Sequence, residues 1–576
     1  MKKRLISLAL LLGLTLPGTA CAAAGPAGDG SARCGYPRAE DMLPAEGDQA
    51  PLSRTGFLSE LAAAAGADTD EYADDKLPFT DCTQDQYIAW GWYNWLINGD
   101  GTGACRANSI NREEAATILG RWLDNTYTDL PAGCGTGMPD LDNVSDWARD
   151  GVTKCWLYGV IDTGGAADFR PQDPVTVADA RAWCANAMQV NACAYAQPEE
   201  AQNFADALVR ALDADGNWSV SPYSVRLCLA MLANGAKGET RDELLAALRI
   251  DDLDAFNQSV QALLETYDGY ARIMRLETAN SVWLNQSRFD GVGAFLPAFV
   301  QTVTDCFRAE AQEVTDADSV ERVNAWADEK TNGRIPTILS EDNRKFVTAL
   351  VNAVYFKAAW ENEFDPADTD RADFTNADGA AAPVDMMHQT ASFGYYATPG
   401  IQALEMPYRK YAVDNEMGDN WEYFRDADFS MYLIRTDEAL DVQHFLDSVE
   451  FETSRVDVSV PKFQVEYSAA LDEALKALGV RTAYDPASAD LSAMVDPALL
   501  GGREHFLDTV VHKTWLAVDE QGTEAAAVTA AMTGDRAAAE RAPLVRTFKA
   551  DGPFWFVIRD NANGEILFAG RYETAN

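Results

Sequence analysis

Histidine is scarce in this chain, 4 among 576 residues. None of His388, His444, His505 or His512 stands in a His-Glu-x-x-His pattern, so the helix-borne zinc site of that class is excluded. There is no Gly-x-Ser-x-Gly elbow and no Gly-x-x-x-x-Gly-Lys-Ser/Thr loop, which removes elbow-type hydrolases and P-loop nucleotide chemistry. No Cys-x-x-Cys occurs, so a zinc knuckle or dithiol redox pair is not expected. Positive charge is also short. Lys and Arg number 46 against 90 Asp and Glu, a net charge of −44. Such a chain lacks the basic patches that nucleic acid, anionic membranes or heparin-like polyanions require. Its acidity suits solubility and basic partners. No catalytic constellation is present, and neither cofactor nor metal is expected.

Long apolar runs are confined to the start. Lys2, Lys3 and Arg4 precede an apolar stretch from Leu5 to Leu16, and Gly18, Thr19 and Ala20 lead to Cys21. This is the pattern of a secretory signal, residues 1–22, too short for an ordinary membrane span. Export follows as the expectation. Lipid attachment at Cys21 is left open, because Gly18 stands where a bacterial lipoprotein box usually has Leu. Ten cysteines are present, seven of them (Cys34, Cys82, Cys105, Cys134, Cys155, Cys184, Cys193) between residues 34 and 193. Export permits disulfides there, but the sequence does not give their connectivity. Cys228 and Cys306 lie in apolar helical patterns and read as buried thiols.

At 576 residues the chain exceeds a single core. The Gln-Pro-Glu-Glu-Ala-Gln run at 197–202 reads as a linker between a cysteine-rich segment, 23–196, and a mixed α/β segment, 203–576. The first segment holds weak internal repeats. One runs from Pro78-Phe79-Thr80-Asp81 to Asn111-Arg112-Glu113-Glu114, and the next from Pro139-Asp140-Leu141-Asp142 to Thr176-Val177-Ala178-Asp179. A half copy begins at Leu52-Ser53-Arg54-Thr55. Each reads as helix, glycine-rich loop, helix. These units resemble the S-layer homology domain over about residues 40–190. The resemblance implies a mostly α-helical domain that binds cell-wall polysaccharide, with Arg54 and Arg112 at the family's ligand-binding arginine. The third copy has Val177 there. A helical spacer that only inherited the fold is the alternative.

From residue 203 onward the motifs come in order. They are Asn217-Trp218-Ser219-Val220-Ser221-Pro222-Tyr223-Ser224, Gly235-Ala236-Lys237-Gly238-Glu239-Thr240 and Thr331-Asn332-Gly333-Arg334-Ile335. Next come Asn352-Ala353-Val354-Tyr355-Phe356-Lys357-Ala358-Ala359-Trp360, Val384-Asp385-Met386-Met387 and the closing Pro553-Phe554-Trp555-Phe556 to Gly570-Arg571. This series resembles a serpin, a serine protease inhibitor. The resemblance implies an α+β fold of three β-sheets with surrounding helices and an exposed reactive-centre loop. It also implies a polar cluster of Ser221, Ser224, Asn352 and His512 where the central sheet opens, and Trp360 where the loop first inserts.

The run Val518-Asp519-Glu520-Gln521-Gly522-Thr523-Glu524-Ala525-Ala526-Ala527-Val528-Thr529 has no proline and no bulky aromatic. As a strand it alternates faces. Thr523, Ala525, Ala527, Thr529 and Ala531 then share one face, all small enough to slide into a packed interior, with Glu524 opposite. Glu520, Gly522, Thr523, Glu524, Ala525, Ala526 and Ala527 are therefore the expected hinge of a loop-inserting, covalent trap. In serpins the bait residue stands sixteen after the hinge Glu, which gives Arg536, followed by Ala537. An arginine suits the carboxylate of a trypsin-like specificity pocket. Counting back from Pro553 gives Arg541-Ala542 as the alternative bond. A cut at Met532 or within Ala537–Ala539 would suit an elastase-like enzyme, and a cysteine protease is a further target class. The expected function is a secreted or cell-wall-attached bacterial inhibitor, monomeric, whose partner is a serine protease. A non-inhibitory serpin acting as a binding module is the runner-up.

Overall fold

A computed structural model describes residues 49–99, 102–128, 138, 140–163, 168–190, 201–212, 214–290, 293–413, 421–523 and 544–575. The signal segment with Cys21, most of the linker, hinge residues Glu524, Ala525, Ala526 and Ala527, and both bait pairs (Arg536-Ala537 and Arg541-Ala542) lie outside the described residues.

Residues 49–190 carry α1 (Arg54–Ala64), α2 (Gln86–Tyr93), α3 (Arg112–Thr126), α4 (Arg149–Leu157) and α5 (Val177–Met188). Their starts are written in the sequence. Ser53, Asn111 and Thr176 each cap a helix by accepting a backbone N–H, and Asn111–Glu114 and Thr176–Asp179 complete capping boxes. The helices share their own core, with Phe57, Trp90, Trp122, Phe169 and Trp183 among its large side chains. Helices α3 and α4 meet backbone to backbone. A Cβ on Gly120 would come within 2.6 Å of the Gly151 Cα, so both positions require glycine.

The larger body contains helices α6 (Phe204–Ala211), α7 (Pro222–Gly235), α8 (Gly238–Leu248), α9 (Leu253–Gly269), α10 (Pro297–Phe307), α11 (Ser319–Lys330), α12 (Val442–Ser448) and α13 (Asp472–Ala477). Its strands are β1 (Trp218–Val220), β2 (Met274–Asn285), β3 (Glu310–Val314), β4 (Thr348–Ala359), β5 (Asp370–Thr375), β6 (Ala381–Thr398), β7 (Ile401–Pro407), β8 (Tyr411–Val413) and β9 (Trp421–Tyr423). They continue with β10 (Phe429–Arg435), β11 (Glu452–Pro461), β12 (Phe463–Ala470), β13 (Thr509–Val518), β14 (Gly522–Thr523), β15 (Arg546–Lys549), β16 (Phe554–Asp560) and β17 (Glu565–Tyr572). Among the described residues these form three sheets. One has nine strands, in the order β1-β17-β16-β10-β7-β6-β11-β15 with β5 beside β6. The second has six, in the order β12-β13-β14-β4-β2-β3, and the third is the β8-β9 ribbon.

The six-stranded sheet is covered on both faces, which is why β4 from Ala349 to Phe356 is apolar on both faces, apart from Asn352, rather than alternating. Leu350, Val354 and Phe356 join the main core on one side. Val351, Ala353 and Tyr355 join a second cluster on the other, with Trp283, Trp326 and Trp515. The thiols follow this burial. Cys228 is fully buried, as expected, whereas Cys306 is only partly so.

Candidate functional site

Strands β4 and β13 run parallel and adjacent from Ala349↔Thr509 to Tyr355↔Trp515. Above that register they separate, and β14 stands between them. It pairs antiparallel with both: Gly522↔Ala359 and Thr523↔Ala358 on one side, and Thr523↔Val518 on the other. The central sheet is thus closed along most of its length and parted at one end by two residues.

Those two residues fit for steric reasons. A Cβ on Gly522 would sit on the Ala358 carbonyl and 2.8 Å from the Ala359 Cα. Thr523 is fully buried, and its hydroxyl meets the Tyr408 hydroxyl at 2.7 Å. Asp519 makes the turn into β14. Its carboxylate accepts the Gln521 N–H at 2.9 Å and the Gly522 N–H at 3.2 Å, and its own N–H donates to the Gly522 carbonyl at 3.0 Å.

Trp360 closes the parted end. Its backbone N–H donates to Gln521 O at 2.8 Å, and its indole N–H to Asp519 O at 3.0 Å. The indole stacks on Tyr408 with ring centroids 4.7 Å apart. Glu520 is tied to its surroundings by Lys462 at 2.9 Å and by the Thr369 hydroxyl at 3.0 Å. Burial works against its charge, but these donors outweigh that and hold the carboxyl below the usual range.

Beneath β4 and β13 lies a buried polar chain. The Ser221 N–H donates to His512 Nε2 at 3.1 Å. Nε2 therefore accepts, Nδ1 carries the proton, and Nδ1 donates to Asn352 Oδ1. The Asn352 amide in turn donates to the Ser224 hydroxyl and to Asn280 Oδ1. The Ser224 N–H donates to the Ser221 hydroxyl at 3.2 Å. Burial disfavours the imidazolium and pushes the His512 pKa down to about 3. The chain ties β13, β4 and β2 to the start of α7, across the seam that an extra strand would open.

The family model of the serpins, serine protease inhibitors, matches residues 199–574. The chain belongs to the serpin family. It is similar to intracellular coagulation inhibitor 1 of Tachypleus tridentatus, 32% identical over 387 residues, 64% of this chain and 86% of that protein. It is also similar to the leukocyte elastase inhibitor of Bos taurus, 32% identical over 382 residues, 62% of this chain and 92% of that protein. Among solved structures, the thermophilic serpin tengpin in its native state matches with a TM-score of 0.55 and 26% identity, covering 66% of this chain and 96% of tengpin. Native, stressed Arabidopsis AtSerpin1 matches with a TM-score of 0.53 and 26% identity, covering 64% and 95%. A serpin is an inhibitor of serine-type endopeptidases rather than an enzyme.

The structure of this serpin brings Ser221, Ser224, Asn352 and His512 together, and places Trp360, Glu520, Gly522 and Thr523 at the parted end of the sheet. The sequence reading missed Asn280, Tyr408 and Asp519. Asn280 had a signal: it interrupts the apolar pattern of β2 and pairs in register with Asn352. Tyr408 had none, since it meets Thr523 only through the fold. Among the described residues no His/Cys/Asp/Glu group could hold a metal ion, and no helix is long and apolar enough to cross a membrane.

Arg54 and Arg112 are buried in the N-terminal helices. Arg54 donates to Cys105 O at 2.6 Å and pairs with Glu114 at 2.8 Å. Arg112 donates to Phe169 O at 2.9 Å and Asp162 O at 2.8 Å, pairs with Asp179 at 2.8 Å, and lies over the Trp183 ring. Arg54 opens α1 and binds Glu114 in the first turn of α3, and Arg112 opens α3 and binds Asp179 in the first turn of α5, so both serve as struts between these helices.

Proposed function

We propose that this serpin is a suicide inhibitor of trypsin-like serine proteases, with Arg536-Ala537 as its bait bond and Arg541-Ala542 as the second candidate. The observation that carries this reading is β14: two small residues already occupy the head of the cleft between β4 and β13. The next residues, Glu524-Ala525-Ala526-Ala527, have the side chains that such a strand needs to lengthen. A protease attacks the bait carbonyl with its serine, forming an ester and releasing the amine at residue 537. The freed segment then inserts beside β4. Sixteen residues at about 3.3 Å each carry the esterified protease on the order of 50 Å and distort its active site, so hydrolysis of the ester slows. Arg536 supplies the charge for the specificity pocket.

The direct pairing of β4 with β13 below β14, in a fold similar to two native serpins, supports this reading. The N-terminal segment supports export, with Cys21 as a lipid-attachment candidate, and an S-layer homology-like domain, 23–196, supports attachment to cell-wall polysaccharide. Since Arg54 and Arg112 are engaged internally, their part in wall binding is to shape the domain, and the polysaccharide is met by other groups. The test is incubation of the mature protein with an equimolar amount of trypsin, followed by denaturing gels and intact mass. A covalent adduct with a released peptide beginning at Ala537 supports the reading. Clean cleavage without an adduct assigns a substrate-like, non-inhibitory serpin.

A further inference from the structure

Strand β15 follows the bait loop directly, and within its sheet it is an edge strand. Among the described residues it pairs only with β11, in parallel, over four residues from Val456↔Arg546 to Ser459↔Lys549. Four parallel pairs on one side make a weak attachment. The N-terminal helices sit against its start. The Arg546 guanidinium donates to Asn125 O, in the last turn of α3, at 2.9 Å. It also lies over the Tyr395 ring at 5.5 Å and pairs with Glu452 at 3.2 Å. Two residues past α3, Thr128 docks on the end of β6. Its N–H donates to Ala397 O at 2.9 Å, and its hydroxyl accepts the Ala397 N–H at 2.8 Å. Between them Tyr127 packs against both hydrophobic cores. A small cavity at this junction is lined from both sides, by Asn94, Trp122, Tyr395, Gln402, Leu544 and Val545.

We infer that the N-terminal domain clamps β15 through Asn125 and Thr128, and so holds the far anchor of the bait loop while the loop is uncut. The inference rests on the loop-insertion reading above. Chain length shows why the anchor matters. Extending β14 in its present register down to Thr348 takes ten residues beyond Thr523, to Thr533 at the latest position paired. That carries the chain about 33 Å down the sheet. The twelve residues from 534 to 545 must then return to Arg546 around the outside of the body. Because β11, the partner of β15, leads directly into β12 at Phe463↔Val518 beside β14, that return is of the same order as the descent, and a reach of about 45 Å fully extended leaves little slack for it. Deep insertion of an intact loop therefore draws on β15, and every contact that keeps β15 in place opposes it. Cleavage removes the constraint, because the inserting segment is then no longer joined to β15. The clamp thus opposes spontaneous insertion and leaves inhibition itself unimpeded. Asn125 and Thr128 are positioning residues, acting through Arg546 and β6.

The full-length Thr128→Pro variant removes the hydrogen bonds of the Thr128 N–H and hydroxyl to Ala397, and Tyr127 before it already has the extended backbone that proline requires. Arg546→Gln removes the guanidinium contact. Two measurements are made on each variant beside the wild type. One is the fraction of active inhibitor, titrated with trypsin during incubation without protease, with intact mass to show that the chain is uncut. The other is hydrogen exchange of the β15 amides. The expected result is equal trypsin stoichiometry when fresh, then loss of activity on the order of tenfold faster in the variants, with faster exchange confined to β15 and its neighbours. Equal exchange at β15 overturns the clamp, whatever the inhibition data show. Faster exchange with equal lifetimes overturns its role in restraining the loop. A wild type that forms no adduct with any serine protease refutes the inhibitory reading instead, and the exchange comparison still decides the clamp. A variant that is misfolded when fresh, by circular dichroism, is replaced by Thr128→Val, which removes the hydroxyl alone.

Discussion

The Thr523 hydroxyl and the Tyr408 hydroxyl share a buried hydrogen bond of 2.7 Å, with Tyr408 stacked flat on Trp360. This contact fixes β14 at the head of the cleft, so the sheet is already parted where a longer strand would begin.

Replacing Thr523 by arginine sets a long cation into that buried site. Burying an unpaired charge costs several kcal/mol. The expected outcome is a protein that trypsin cleaves but does not remain bound to. SDS-stable adduct should fall at least tenfold, with the cleaved product taking its place. Undiminished adduct would show that trapping does not proceed through β14.

The bait assignment separates by single substitution. Arg536→Ala is expected to lower the trypsin association rate by two orders of magnitude or more, whereas Arg541→Ala leaves it nearly unchanged, because the specificity-pocket carboxylate loses its partner only in the first. Sequencing the released peptide checks this. A peptide starting at Ala542 reverses the assignment.

His512 gives a pH signature. An unfolded histidine titrates near 6.5, whereas this one is held to about 3 by burial, and His505 to about 4. Below pH 6.5 the unfolded chain gains protons that the folded chain does not take up. The contribution of these sites is therefore complete above about pH 6.5. It declines by about 1.4 kcal/mol per pH unit per site as pH falls toward the folded values. Urea midpoints should drop between pH 7 and 5. The drop should be smaller in His512→Gln, and parallel curves for the two proteins would refute this origin.

Asn352→Ala strands the His512 Nδ1–H and the Ser224 hydroxyl in a dry seam. The cost is on the order of 3 kcal/mol, since a buried donor left without an acceptor loses its full solvation. The native protein should melt several degrees lower. Asn280→Ala should act in the same direction but more weakly, since it removes one acceptor. Differential scanning fluorimetry of both variants checks the order.

Arg112→Ala removes a buried ion pair, two carbonyl contacts and a cation over Trp183. About 3–5 kcal/mol should be lost, because Asp179 is left without its partner. Limited proteolysis should gain cuts within residues 102–190 relative to the wild type, with no gain within 203–575. Equal protection would mean that the strut is dispensable.

The ordered motifs from Ser221 to Arg571 made the serpin body legible, because each has a local cause. Pro222 stands at the first turn of α7 behind the Ser221 cap, β4 is apolar on both faces around the single Asn352, and Gly522 is required by backbone contact. The helix starts of the N-terminal domain were legible too, through Ser53, Asn111 and Thr176. Contacts made only by the fold were not. Tyr408 on Thr523, and Arg546 on Asn125, join residues 115 and 421 positions apart, and no periodicity records either. The burial of Arg112 was equally hidden, since an arginine beside two glutamates reads as surface charge until Phe169 and Trp183 are brought to it.

Val177 has a further effect on the ring formed by α1, α3 and α5. Two joints, Arg54–Glu114 and Arg112–Asp179, close through shielded charge. The third, from α5 back to α1, has main-chain bonds, Leu52 N–H to Val175 O at 2.8 Å and Val177 N–H to Ala50 O at 3.1 Å, beside the half-exposed Arg181–Glu60 pair, and α3 has its own toward α5, Arg112 N–H to Asp173 O at 3.0 Å and Glu113 N–H to Pro171 O at 3.0 Å. Because Val177 stands where α1 and α3 open on an arginine, the α1–α5 joint has no shielded ion pair, and Arg54 and Arg112 are the two struts whose loss would loosen α3 from a neighbour while leaving α1 on α5.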